Sequence, residues 1–225
     1  MFRNEIKAVL FDLGETLIRT AEPAEIHRRI LEAHGVTIPI DAIAKAHEKN
    51  MKEFDADEMC KQGQVYWVAM NLKLLKNLGI EKNAELLAKK IDELWWEYAD
   101  LGIYPDVKET LAELRRKGIK LGIVTNGLER DYKYVLSGLD LDGLFDIVVG
   151  SDACVKAKPN REIFLYAVNK LGMSPQEALF VGNSVKKDFE GARAAGLNAL
   201  LIKHGSQSPK NVEAIASISE VLKHV

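Results

Sequence analysis

The chain has 225 residues with 47% hydrophobic content, a composition that supports a packed core and excludes an intrinsically disordered protein. Its 31 Lys and Arg residues nearly balance 33 Asp and Glu residues, and this net charge of -2 argues against a nucleic-acid partner. No apolar run reaches the length of a membrane span, and the two cysteines lack the spacing of a zinc site. We therefore expect a cytoplasmic globular protein without a membrane partner, with both cysteines reduced.

In chain order, the first predicted element is a buried strand at residues 8–11. A long segment follows, from about residue 22 to residue 98, in which apolar side chains recur at helical spacing. One such set lies at i, i+4, i+7 and i+11: Leu87, Ile91, Leu94 and Tyr98. The pattern predicts a domain of about four helices, in which the neighbouring Trp95 and Trp96 pack against the other apolar side chains.

After this segment, short runs rich in Val, Ile and Leu alternate with amphipathic stretches. The runs predict strands at residues 119–124, 145–149, 178–181 and 199–202, and the stretches predict helices at residues 106–117, 129–136, 160–171 and 188–195. Strands alternating with helices indicate an α/β fold with a doubly wound parallel sheet. Since the helical segment separates the first strand from the others, we expect an α/β core of residues 1–19 and 103–225 with a helical insertion at 20–102.

Polar residues follow four of the predicted strands. They are Asp12 after the first strand, Thr125 and Asn126 after the second, Lys158 beyond the third, and Asn183 and Asp188 after the fourth. Because ligands of an open parallel sheet bind outside the carboxyl ends of its strands, these side chains are expected to share one site.

The residue types at this predicted site indicate chemistry on an anion. A carboxylate beside other oxygen donors can hold Mg²⁺, while Lys158 and Thr125 can contact phosphate oxygens. A carboxylate can also attack phosphorus once its charge is screened. This combination predicts phosphoryl transfer.

Four segments of the sequence resemble the motifs of the haloacid dehalogenase-like (HAD) hydrolase superfamily. In chain order they are VLFDLGETL, GIVTNG, KAKPNREIF and FVGNSVKKDFEGARAAG. The resemblance implies that Asp12 is the nucleophile, that Thr125 and Asn126 bind the transferred phosphoryl group, and that Lys158 stabilises both. It also implies that the inserted helices form a type 1 cap, which selects a small phosphorylated metabolite as the substrate.

The resemblance implies a Mg²⁺ site as well, with one departure from the family pattern. The ligands would be Asp12, the carbonyl of Gly14, Asn183 and Asp188. Asn183 stands where the family commonly has an aspartate, and its side chain still offers a neutral oxygen.

Gly14 is the second departure, because phosphatases of the family usually carry there an aspartate that serves as general acid and base. Such a group is typically worth about 100- to 10,000-fold in rate. We therefore expect a preference for acyl, aryl or anomeric phosphates, whose leaving groups depart without protonation. Glu15 either substitutes as the catalytic acid or is a solvated turn residue.

Three other functions are compatible with the sequence. A metal-independent haloacid dehalogenase, acting on a halogenated metabolite, needs no acid, and a phosphonatase-like hydrolase would need a cap lysine such as Lys45, Lys49 or Lys52. An inactivated, non-enzymatic binding module would also explain Gly14 and Asn183. His204 follows the last predicted strand and is expected to be a solvated loop residue. The sequence does not indicate an oligomeric state.

Overall fold

The structure, a computed structural model, describes residues 5–154, 156–205 and 212–225. The chain folds into two compact units. The first comprises Met1–Arg19 with Gly102–Val225, and the second comprises Thr20–Leu101. Gly102 lies in the first unit because it pairs with Arg19 in a short antiparallel ribbon, so this boundary is one residue earlier than the one drawn from the sequence.

The first unit contains the strands. They are β1 (Ala8–Phe11), β2 (Ile18–Arg19), β3 (Gly102–Ile103), β4 (Lys120–Val124), β5 (Ile147–Val149), β6 (Ala178–Gly182), β7 (Asn198–Ile202) and β8 (Ala214–Ile215). Six of them form a parallel sheet in the order β5-β4-β1-β6-β7-β8, and β2 pairs with β3 in the ribbon. The predicted doubly wound parallel sheet is therefore confirmed, although the two-residue strands were too short to predict.

The second unit is helical. Its helices are α1 (Pro23–Ala33), α2 (Ile40–Met51), α3 (Ala56–Gln62), α4 (Gln64–Asn77) and α5 (Ala84–Leu94). There are five helices and not four, because Gly63 at φ 57° separates the short α3 from α4, a conformation that glycine adopts at little cost. Trp95 and Trp96 pack against the apolar core of this unit, which confirms their predicted role.

The helices of the first unit pack on the sheet. They are α6 (Val107–Arg116), α7 (Glu129–Gly138), α8 (Arg161–Lys170) and α9 (Gly191–Ala194). Leu10, Phe164 and Phe180 belong to an apolar core cluster of this unit and are fully buried. Among the described residues, no helix is both long and apolar enough to cross a membrane.

The helix predicted at residues 188–195 is only partly correct. The segment begins earlier, as a π-helical turn at Val185–Glu190, and continues into α9. The Phe189 N–H donates to the Ser184 carbonyl five residues back, at 3.1 Å. Such wide turns often occur at functional sites.

Candidate active site

The candidate site lies at the carboxyl end of β1, in the middle of the sheet. From β1 the chain continues to β4 on one side and later crosses to β6 on the other, so the loops diverge here. Asp12 follows β1 directly, and its N–H donates to the Val181 carbonyl at 2.9 Å. On the opposite side, the Thr125 N–H donates to the Val149 carbonyl at 2.9 Å. Backbone bonds of the sheet thus fix both residues.

A lysine joins two carboxylates at this point. Lys158 Nζ donates to Asp12 Oδ1 at 2.6 Å and to Asp188 Oδ1 at 2.7 Å. The side chains of Lys158 and Asp188 are only 3% and 2% exposed, and Lys158 Nζ lies 5.3 Å from the centre of the Phe180 ring. One buried cation therefore faces two buried carboxylates.

Burial and neighbouring charges shift the pKa values of both Asp12 and Lys158. Burial raises the pKa of the Asp12 carboxyl, Lys158 lowers it, and repulsion from Asp188 adds to the rise, which prevails. Burial alone would lower the pKa of Lys158, but attraction to both carboxylates outweighs it, so that pKa is raised. A further positive charge would favour ionised Asp12, the form that can attack an electrophile.

The Lys158 backbone is held by a side chain from another loop. Asn126 Nδ2 donates to the Lys158 carbonyl at 3.1 Å, and Asn126 Oδ1 accepts from the Lys158 N–H at 2.8 Å. The next residue, Pro159, lies so close to Gly191 that a Cβ there would come within 3.0 Å of the Pro159 backbone. The Asn126 side chain therefore positions Lys158.

Asp188 is aimed into the cluster by the π-helical turn. Its Oδ2 accepts from the Ser184 N–H at 2.9 Å while Oδ1 binds Lys158. A Cβ on Gly182 would lie 2.5 Å from the Asp188 side chain, so only glycine fits there without displacement. The close approach of Asp188 to the end of β6 therefore depends on Gly182.

Thr16 is a site residue that the sequence reasoning missed. Its Oγ1 donates to Asp12 Oδ2 at 3.2 Å, and the residue is fully buried. Together with Lys158, it gives each oxygen of Asp12 its own donor. A hydroxyl four residues after Asp12, inside a tight turn, was the signal that could have indicated this contact.

Thr125, Gly14 and Asn183 lie at the same sheet edge without joining the ion pairs. Thr125 is buried, and its Oγ1 accepts from the Gly127 N–H at 3.1 Å. A Cβ on Gly14 would have no neighbouring atom within 4 Å, so space is open beside it. Asn183 is half-buried, and its carbonyl accepts from Lys203 Nζ at 3.1 Å. In the described part of the chain, no three His, Cys, Asp or Glu side chains form a metal-binding group.

The expectation of a solvated His204 is wrong. Its ring is half-buried and stacks on Tyr104, with centroids 3.4 Å apart and planes 6° from parallel. His204 Nε2 lies 3.0 Å from the Thr16 carbonyl, and since a carbonyl only accepts, this nitrogen carries the proton. Glu15 is exposed, and its Oε2 accepts from the Tyr104 hydroxyl at 3.3 Å. The turn after Asp12 therefore contacts the ends of β3 and β7.

An open parallel sheet with carboxylates and a lysine buried at its switch point defines an α/β protein equipped for nucleophilic chemistry on an anion. The chain belongs to the haloacid dehalogenase-like hydrolase family, whose sequence model matches residues 6–196. The resemblance seen in the four motifs is thereby confirmed.

Similar proteins include curated phosphatases. The chain is 34% identical over 212 residues to the glyceraldehyde 3-phosphate phosphatase of Methanopyrus kandleri, covering 92% of this chain and 89% of that protein. It is 28% identical to the phosphoglycolate phosphatase of Salmonella typhi, covering 90% and 83%.

Solved structures share the fold. A HAD phosphatase from Thermococcus onnurineus aligns with a TM-score of 0.66 at 28% identity, covering 97% of each chain. A 2-haloacid dehalogenase from Pseudomonas syringae aligns with a TM-score of 0.71 at 23% identity, also covering 97% of each chain. The dehalogenase match, at this low identity, shows the fold alone.

Proposed function

We propose that the protein is a phosphatase of small phosphorylated metabolites in which Asp12 accepts the phosphoryl group. The observation that carries the proposal is the buried Asp12 carboxylate, with one oxygen bound by Lys158 and the other by Thr16. The phosphatase names of two similar proteins support the same class of substrate. We also propose that residues 20–101 act as the cap that selects the substrate, and that the enzyme works in the cytoplasm.

In the proposed first step, a carboxylate oxygen of Asp12 forms a bond to phosphorus while the bond to the ester oxygen breaks. The Lys158 ammonium and the Thr125 hydroxyl stabilise the phosphoryl oxygens, with the backbone amide of Asn126. Water then attacks the aspartyl phosphate, releasing inorganic phosphate and restoring Asp12. Fixed donors on both Asp12 oxygens reduce the reorganisation needed for in-line attack.

The donor set fits Mg²⁺. Two buried carboxylates outnumber the one lysine between them, and Mg²⁺ commonly takes one or two carboxylates and keeps several waters. We propose that Asp12, Asp188, the Gly14 carbonyl and the Asn183 side chain hold the ion. When bound, Mg²⁺ supplies positive charge that screens the carboxylates and the phosphate.

The open space at Gly14 supports a preference for good leaving groups, because no side chain there can protonate the departing oxygen. In Gly14→Asp the new carboxylate has room, so we expect alkyl-phosphate turnover to rise about 100-fold relative to aryl-phosphate turnover. Glu15→Gln decides whether Glu15 is a substitute acid. An unchanged alkyl-phosphate rate in that variant removes Glu15 from the mechanism.

The cap lysines do not favour the phosphonatase alternative. A Schiff-base lysine needs a desolvated pocket or a neighbouring cation. Lys45, Lys49 and Lys52 are all exposed. Lys49 donates to Asn77 at 2.9 Å, and Lys52 pairs with Glu48 at 3.0 Å. These lysines have the surroundings of ordinary surface residues.

The proposed function is tested by phosphate release from p-nitrophenyl phosphate with Mg²⁺ and with a chelator. We expect Mg²⁺-dependent release that falls about 10,000-fold or more in Asp12→Asn, because the nucleophile is lost. Asp142→Asn, a change of an exposed aspartate in the same unit, is the matched control. Metal-independent halide release from 2-haloacids would support a dehalogenase instead, and no turnover of either substrate would support a binding module.

A further inference from the structure

Tyr104 and His204 bind the turn that follows the nucleophile at three consecutive residues. The Tyr104 hydroxyl donates to the Glu15 carboxylate, and its N–H donates to the Leu17 carbonyl at 3.1 Å. Between Glu15 and Leu17 lies Thr16, whose carbonyl accepts a hydrogen bond from His204 Nε2 at 3.0 Å. The two rings stack, so each fixes the position of the other. We call Tyr104 and His204 the aromatic clamp.

The contacts continue from the aromatic clamp to the reacting group. His204 holds the backbone of Thr16, and the Thr16 hydroxyl donates to Asp12 Oδ2 at 3.2 Å. Thr16 is fully buried, whereas Tyr104 and His204 are half-buried. A displacement of the Thr16 backbone would therefore move the donor that orients the Asp12 carboxylate.

Backbone strain marks both sides of this contact. Glu15 has φ 55° and His204 has φ 38°, in the left-handed region that residues other than glycine rarely adopt. Such conformations persist only where surrounding contacts hold them, and they cluster at functional sites. The contacts at these two residues include the ring stack, the hydrogen bonds from Tyr104 and His204, and a bond from the Glu15 N–H to the Ile18 carbonyl at 2.7 Å.

We propose that the aromatic clamp is a positioning unit for the nucleophile, acting through Thr16 on the orientation of the Asp12 carboxylate. The inference rests on the proposed function, since it assigns Tyr104 and His204 to the step in which Asp12 attacks phosphorus. Neither residue exchanges a proton or a bond with the substrate. Their effect is on kcat, because in-line attack requires an aligned oxygen and a small misplacement costs up to about 100-fold.

The test compares variants that each remove one of the hydrogen bonds linking the aromatic clamp, the turn and Asp12. His204→Phe keeps a ring for the stack and removes the donor to Thr16. Tyr104→Phe keeps the stack and removes the donor to Glu15. Thr16→Val removes the hydroxyl that contacts Asp12. Turnover of p-nitrophenyl phosphate and melting temperature are measured for each, with His34→Ala and Tyr134→Phe, two exposed aromatic residues, as controls.

We expect kcat to fall about 10- to 100-fold in Thr16→Val and about 10-fold in His204→Phe, with KM nearly unchanged. Tyr104→Phe should lose less, about threefold, because the stack and its backbone bond to Leu17 remain. Adding His204→Phe to Thr16→Val should cause no further loss, since both changes break the same path.

Two results would overturn the aromatic clamp as a positioning unit. One is an unchanged kcat in His204→Phe. The other is losses that multiply in the double variant and follow the melting temperature, which would indicate a purely structural role. If His204→Phe does not fold, the double variant of Tyr104→Phe with Thr16→Val replaces it in the test. Losses of kcat that multiply in that double variant would likewise overturn the positioning role. A wild-type protein without Asp12-dependent turnover would instead contradict the proposed function itself.

Discussion

Both units of the molecule bury polar side chains, but they use them differently. In the helical unit, the buried Asn50 donates to the Met70 carbonyl at 2.8 Å and accepts from Asn77 at 3.1 Å. The buried carboxylate of that unit, Asp92, accepts from Gln64 at 2.7 Å. These bonds join helices through neutral donors, and they specify how the helices pack.

The sheet edge of the α/β unit instead brings charged groups together. Asp12, Lys158 and Asp188 are all buried and bonded to one another. Burying charges costs more free energy than burying amides, so a fold that needs only stability gains little from such a cluster. Buried polar groups therefore indicate function where they are ionised, clustered and placed at the open end of a sheet.

Removal of the buried cation should produce the largest change in stability. In Lys158→Ala the two carboxylates face each other without compensation, so we expect the free energy of unfolding to fall by about 3–5 kcal/mol. Urea denaturation near pH 7 measures the effect. Lys186→Ala, an exposed lysine of the same unit, should change stability by less than about 0.5 kcal/mol. Equal stability of the two variants would show that the cluster is not charged in the folded protein.

The buried, neutral His27 of the helical unit should make the free energy of unfolding depend on pH. His27 Nδ1 donates to the Pro23 carbonyl at 2.7 Å, and among the described residues Nε2 has no hydrogen-bond partner. Burial lowers the pKa of His27 from 6.5 to about 4. Below pH 6.5, His27 is therefore protonated in the unfolded chain and remains neutral in the folded protein until the pH approaches 4.

The expected consequence is a stability that is constant above pH 6.5 and falls by about 3 kcal/mol as the pH decreases to 4, where the folded protein also takes up the proton. Over this range the unfolding free energy of His27→Phe should decrease by about 3 kcal/mol less than that of the wild type, because the lowered pKa values of His47 and His204 still contribute, while the exposed His34→Ala should keep the full decrease. A wild-type curve parallel to that of His27→Phe between these pH values would mean that His27 is already protonated in the folded protein.

The smallest effect is expected from a methyl group added at the sheet edge. Gly182→Ala places a Cβ 2.5 Å from the Asp188 side chain, so we expect a loss of about 1–3 kcal/mol and a lower kcat. Gly14→Ala adds the same methyl group where no atom lies within 4 Å, and its stability should stay within about 0.5 kcal/mol. Similar melting temperatures for the two variants would contradict the tight packing of Asp188 on β6.

Much of the fold followed from apolar patterning. The central strand β1 was predicted at its observed bounds, because all four of its side chains are buried and read as one apolar run. The turn at Val185–Glu190 was not predicted, since a hydrogen bond from the Phe189 N–H to the Ser184 carbonyl, five residues back, leaves no periodic signal in the sequence.

The site was predictable where residues directly follow strands. Asp12 and Thr125 lie at strand ends, so their convergence follows from the parallel sheet. The contacts of His204 could not be predicted, because His204 follows β7 and stacks on Tyr104, which lies about 100 residues earlier in the chain. Stacking between loops is a tertiary event without a local sequence pattern.

Chemical trapping tests the proposed aspartyl phosphate at Asp12 most directly. Protein turning over p-nitrophenyl phosphate is quenched with borohydride, which reduces an aspartyl phosphate to homoserine, and the peptides are analysed by mass spectrometry. We expect homoserine at position 12 in the wild type with substrate, and none without substrate or in Asp12→Asn. Phosphate release at full rate with residue 12 unmodified, or with the modification on another carboxylate, would contradict this expectation.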